Sequence, residues 1–98
     1  MSSFKELINQ NKPVLVDFTA SWCGPCKAQS PILDTVKKAV GESASIVKID
    51  VDKNKTVSQS MNIQGVPTLI LFKNGKQLWR KSGVVDKATL VALIKQHQ

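Results

Sequence analysis

Val14-Leu15-Val16-Asp17-Phe18-Thr19-Ala20-Ser21-Trp22-Cys23-Gly24-Pro25-Cys26-Lys27 is the stretch whose reading decides the fold. It opens with an apolar run, Val14 to Phe18, and closes on both cysteines of the chain. Beyond it, Ile32, Val36 and Val40 recur every four residues, with Leu33 and Ala39 alongside, a helical period. The cysteines therefore fall where a strand passes into a helix, straddling the first helical turn. Residues three apart on a helix share a face, with β-carbons about 5–6 Å apart. A disulfide needs about 3.5–4.5 Å, so a small adjustment closes the ring. The pair can exist as dithiol or disulfide without refolding the domain, which makes it a redox switch.

The position also sets the chemistry. The first N–H groups of a helix lack intrahelical partners, and the helix dipole adds positive potential there. A thiolate at Cys23 receives both, which lowers its pKa and makes it the attacking sulfur near neutral pH. Cys26 lies a turn deeper, is expected to meet less solvent, and reads as the resolving thiol. Pro25 suits a first helical position, where its missing N–H costs nothing. Gly24 leaves room for a partner backbone to approach.

The segment Val16 to Lys27, with its Trp22-Cys23-Gly24-Pro25-Cys26-Lys27 core, resembles the active-site signature of the thioredoxin family. Further matches follow in order: Pro31, Lys48-Ile49-Asp50, Gly65-Val66-Pro67-Thr68, Asn74-Gly75 and Gly83. A bare CxxC is shared with zinc ribbons and structural disulfides, whereas a twelve-residue block of this kind is far more specific. The resemblance implies one domain over residues 1–98, an α/β thioredoxin fold with a central mixed sheet flanked by helices on both faces. Many family members carry an extra strand before the first helix, and the sequence has no place for it. About four strands are therefore expected, with the 45–51 strand possible as an edge. Thr19 stands where many bacterial members carry a second tryptophan, a difference of packing and optical signature.

The resemblance also implies roles. Asp17 matches the proposed proton acceptor for Cys26. Read from the sequence alone, a carboxylate in an apolar strand is costly unless paired or neutralised, and burial raises its pKa. The alternative is a carboxylate satisfied by backbone or water, and its place six residues before Cys23 favours the functional role. Lys48 matches a residue near that carboxylate whose charge favours its ionised form; the alternative is an edge lysine snorkelling into solvent. Pro67 matches a proline that is cis and faces the disulfide, and the peptide at Val66 matches one that pairs with the substrate backbone like an added strand. Gly83-Val84 resembles a third surface loop, joining Trp22 and Val66 in an apolar docking patch. Gly-Pro between the cysteines resembles the reducing members, so a protein-disulfide reductase is implied. It would bind no cofactor and be re-reduced with NADPH electrons by a flavin-dependent thioredoxin reductase.

Ninety-eight residues suffice for one core without disulfide staples. With 42% hydrophobic and 21% charged residues, the composition is that of a soluble globular protein. No segment approaches the roughly 18 apolar residues of a membrane span. Met1-Ser2-Ser3-Phe4-Lys5-Glu6 has neither the basic nor the apolar region of a signal peptide. A cytoplasmic monomer is expected, where a thiol pair is catalytic rather than structural. The net charge of +7 comes from thirteen lysines and one arginine spread along the chain, with a modest cluster at Lys73, Lys76, Arg80 and Lys81. Nucleic-acid binders combine such charge with arginine forks or aromatic platforms; Trp22 lies in no basic run, and the cluster around Trp79 holds a single arginine. A solvated lysine surface is the expectation, with protein rather than nucleic-acid partners.

The remaining elements follow from pattern. Ser3 and Glu6 have capping-box spacing ahead of Phe4, Leu7 and Ile8, predicting a helix over 3–10 that Asn11-Lys12-Pro13 breaks. Pro31 should kink the long helix, and Gly41 should end it. Residues 54–62 read as a short helix capped by Asn54, with Val57 and Met61 inward. Pro67 marks a strand start before Leu69 to Phe72. Asn74-Gly75 is a two-residue hairpin signal leading to a strand over 77–82. Asp86 caps a final helix with the stripe Leu90, Leu93 and Ile94. Trp79 reads as packing or strand surface, and His97 as a residue of a fraying tail. No metal is expected, since a zinc module needs two further ligands and the chain has no other cysteine. A binding subunit without turnover is the other rival, and would keep its activity in Cys23→Ser.

Overall fold

The computed structural model describes residues 2–98. Four strands form one sheet in the order β2-β1-β3-β4: β1 Val14–Thr19, β2 Ser45–Asp50, β3 Thr68–Lys73 and β4 Lys76–Ser82. β1 pairs parallel with β2 and antiparallel with β3, and β3 pairs antiparallel with β4. The four-stranded mixed sheet is the expected one, and β2 is an edge.

β1 is interior because its side chains are apolar on both faces, and Val14, Leu15, Val16 and Phe18 are fully buried. Alternation along the strand divides them. Val14, Val16 and Phe18 pack with Phe4 and Ile8 of α1 (Ser2–Ile8) and with Ile70 and Phe72 of β3. Val57 and Met61, in and just after α3 (Lys55–Ser60), close that layer. Leu15 faces the other way, toward Leu33, Val36 and Val40 of α2 (Gly24–Val40) and Leu90 and Ile94 of α4 (Lys87–Gln96). Asp17 falls on Leu15's side, so its carboxylate lies under the helix that carries the cysteines.

Several local readings are corrected. The buried stripe of α2 runs Cys26, Gln29, Leu33, Val36 and Val40; Leu33, Val36 and Val40 face inward as expected, whereas Ile32 is half-buried and Ala39 exposed. α1 already includes Ser3, which therefore cannot act as its cap; the far end is closed by Gln10, whose side-chain amide donates to Leu7 O. Asn54 holds the N-cap position of α3 without a side-chain cap bond, because its amide donates to Asp50 O instead. That helix is also shorter than 54–62. Pro25 is the second residue of α2 rather than the first.

Other signals stand as read. Asn74 and Gly75 adopt φ of 53° and 79°, the left-handed pair that a tight hairpin requires. Gly41 closes α2 at φ 56° and donates its N–H to Lys37 O. Asp86 accepts from Thr89 N–H at 2.9 Å. Trp79 is half-buried and packs on the α2–α4 side of the core, as packing rather than a site.

Candidate active site

β1 ends at Thr19, and a turn through Ser21 and Trp22 delivers the chain to α2 with Cys23 as its N-cap. Cys23 has extended geometry, φ −89° and ψ 114°, and its sulfur accepts the Cys26 N–H at 3.1 Å. Here sulfur does what a serine or aspartate oxygen does at an ordinary cap. Any negative charge on Cys23 Sγ is thus met by an otherwise orphaned helix N–H. Cys23 and Cys26 form a disulfide with a Cα–Cα distance of 5.3 Å.

Both cysteines are 4% exposed, which corrects the expectation that Cys26 is the more hidden. In the closed ring burial does not separate them; surroundings do. Cys23 Sγ sits 3.5 Å from the carbonyl oxygen of Val66, on the loop facing the helix terminus. The Val66–Pro67 peptide is cis. A β-carbon built on Gly24 would meet nothing within 4 Å, so the approach over the pair is open, and Pro25 beside it is exposed.

Around this opening lie the docking residues singled out from the sequence. Trp22 is 69% exposed, its indole N–H fixed by a 2.7 Å bond to Asp52 Oδ2. Beside it a hollow of about 110 Å³ is lined by Val51, Ile63, Gln64, Gly65 and Val66. Gly83, at φ 93°, donates its N–H to Pro67 O at 2.8 Å, and the adjacent Val84 is 43% exposed. Trp22, Val66 and Gly83-Val84 therefore come from three separate loops to one end of the sheet.

Asp17 is buried to 1% exposure, and its Oδ1 has no hydrogen-bond partner among the described residues. Burial pushes its pKa up from 3.8 to about 6; the positive charge of Lys48 works against the rise. Lys48 is Asp17's register partner on the neighbouring strand, which explains the influence. Its ammonium is exposed and donates to Ser30 Oγ of α2. Lys48 is thus an edge lysine whose charge opposes the upward shift of the buried carboxylate.

Three residues of this site were not found by sequence reasoning. Asp52 and Ser30 partner Trp22 and Lys48 through side-chain bonds that leave no sequence signature. Gln29 is fully buried, with its amide on the backbone of Val85. Stepping back from Leu33 by four residues, the spacing of Val40 and Val36, would have marked its position as inward-facing. His97 lies at the end of α4, and among the described residues no group of three potential ligands is placed to hold a metal.

The thioredoxin family model matches residues 1–96. A thioredoxin of Pyropia yezoensis is 42% identical over 97 residues, covering 98% of this chain and 91% of the relative. The chloroplastic thioredoxin Y of rice is 43% identical over 95 residues, 96% of this chain and 56% of that longer protein. Among solved structures, a mutant thioredoxin of Halobacterium salinarum superposes with a TM-score of 0.87 at 36% identity, covering 99% of this chain and 84% of that one. Sequence, fold and the cysteine pair at the helix terminus converge, and the chain belongs to the thioredoxin family of thiol-disulfide oxidoreductases.

Proposed function

We propose that this protein reduces disulfides of other proteins through the Cys23–Cys26 pair, as a one-domain monomer that keeps cytoplasmic thiols reduced and passes electrons to target enzymes. The observation that carries the reading is the sulfur cap: Cys23 Sγ receives the Cys26 N–H at the start of a 17-residue helix. A thiolate is better stabilised there than a thiol, and the thiolate is the nucleophile.

The steps follow from the site. Cys23 thiolate attacks one sulfur of a target disulfide, that S–S bond breaks, and the departing target thiolate takes a proton from water. The target strand lies along Val66, whose carbonyl oxygen is 3.5 Å from Cys23 Sγ, while Trp22, Pro25, Gly24 and Gly83 bound the docking surface. Cys26 then gives its proton to the Asp17 carboxylate and attacks Cys23 Sγ. The mixed disulfide breaks, and the second target thiolate leaves and takes up a proton as Asp17 releases the one it received. One target disulfide has become two thiols, and the Cys23 and Cys26 thiols have become a disulfide. Asp17, with a pKa near 6, is ionised at pH 7 yet basic enough to receive a proton, and Lys48 keeps it from rising further.

Electrons return from NADPH through a flavoprotein thioredoxin reductase, and neither cofactor is held by this chain. The rice relative's name is chloroplastic, whereas we assign the present chain to the cytoplasm; fractionation with a specific antibody separates the two. The functional test is insulin-disulfide reduction with dithiothreitol. Wild type is expected to accelerate it and Cys23→Ser to lose the acceleration. A Cys23→Ser variant as active as wild type would remove the mechanism.

A further inference from the structure

Gln29 sits one turn beyond Cys26 on the buried face of α2, fully enclosed. Its Nε2 donates to Val85 O at 3.0 Å, and its Oε1 accepts the Val85 N–H at 2.8 Å. One side-chain amide thus satisfies both backbone groups of Val85, in the way a neighbouring strand would. Val85 follows Gly83 and Val84, the loop whose Gly83 N–H is bonded to Pro67 O at 2.8 Å. Pro67 in turn is joined to Val66, whose carbonyl oxygen lies 3.5 Å from Cys23 Sγ. Starting at the sulfur, the contacts therefore run from Cys23 along α2 to Gln29. They cross to Val85 and back through Gly83 and Pro67 to Val66, and end on the same sulfur.

We propose that Gln29 is a positioning residue for protein substrates: by holding the Gly83–Val85 loop to the cysteine-bearing helix, it sets the place of Val84 and of the Val66 peptide against Cys23. An inward-facing position on a core stripe is ordinarily taken by leucine or valine, as at Leu33 and Val36 on the same stripe. An apolar side chain at 29 would leave the Val85 N–H and carbonyl without this partner. The loop would then be free to shift, and a misplacement of about 1 Å at a binding surface is enough to be felt in rate. The hydrogen bonds of the Gln29 side chain go to Val85 and to neither sulfur, so it acts through the loop. Its effect is confined to targets large enough to contact the docking loops.

The inference rests on the reading that protein disulfides are the substrates, and the experiment keeps the two apart. Reduced wild type, Gln29→Met and Gln29→Asn are mixed in stopped flow with insulin and, separately, with hydroxyethyl disulfide. The methionine keeps the length without the amide; the asparagine keeps the amide but falls short of Val85. For both variants the insulin rate constant is expected to fall about tenfold, the size of one lost docking contact. This should appear in KM rather than kcat, while the small-disulfide rate stays within about twofold. Hydrogen exchange at the Val85 amide should quicken in the same variants. Equal losses with both disulfides, no loss with either, or failure of both variants to fold would each overturn the proposal. Wild type inert toward insulin would instead overturn the reading of the substrate, and this inference with it.

Discussion

The central strand and the cysteine-bearing helix each bury one polar side chain, and the two regions treat it in opposite ways. On α2, Gln29 has both ends of its amide matched to Val85. On β1, Asp17 is as deeply enclosed, has an oxygen with no partner among the described residues, and is held at a pKa of about 6. Satisfied burial organises the backbone around it. Unsatisfied burial of an acid opposes folding and leaves a group poised to take up a proton. In the mechanism we propose, the first fixes the surfaces and the second accepts the proton.

The contrast can be broken most severely at the chemistry. Asp17→Asn removes the acceptor while keeping the shape, so the attack of Cys26 on the mixed disulfide should slow by about a hundredfold at pH 7, within the usual span for a lost general base. Rapid quench should then show the mixed disulfide accumulating. If it resolves at the wild-type rate, Asp17 is merely buried.

Next in size is stability, where the same substitution should help. A carboxyl whose folded pKa is raised is fully compatible with folding below its unfolded value, and stability is lost as pH climbs through the folded one. The rise from 3.8 to about 6, at roughly 1.36 kcal/mol per pH unit, amounts to about 3 kcal/mol. Urea unfolding should find Asp17→Asn more stable than wild type by up to that amount at pH 7, with the gain vanishing below about pH 3.8. Gln29→Met should move the other way. Orphaning the Val85 groups costs about 1–3 kcal/mol at any pH. A stabilised methionine variant would erase the distinction between the two regions.

The smallest expected effect is at Lys48. Its charge lowers the pKa of Asp17, so Lys48→Met should shift the pH dependence of the resolving step upward from about 6. An unmoved profile would confine Lys48 to its contact with Ser30.

Much of this was legible before any coordinates. The alternation-free run Val14 to Phe18 announces a strand covered on both faces, and Asn74-Gly75 announces the hairpin, because each rests on local sterics and period. The site's polar wiring was not legible. Gln29 is polar at a core position, so a search for apolar stripes passes over it and takes in the half-buried Ile32 and the exposed Ala39 instead. Asn54 and Ser3 look like caps by composition, yet Asn54 turns to Asp50 O and Ser3 lies inside its helix. Side-chain hydrogen bonds across tens of residues follow from tertiary packing, which no local spacing encodes. Equal burial of the two cysteines was missed for a similar reason: depth along a helix differs from depth beneath the loops that cover it.

The central claim is that Cys23, capped by a helix N–H, is the sulfur that attacks. Reduced Cys26→Ser and Cys23→Ser proteins, each mixed with insulin at pH 7 and resolved without reductant, test it most directly. The account predicts a covalent adduct with insulin for Cys26→Ser and none for Cys23→Ser. An equal or greater yield of adduct from Cys23→Ser would contradict it.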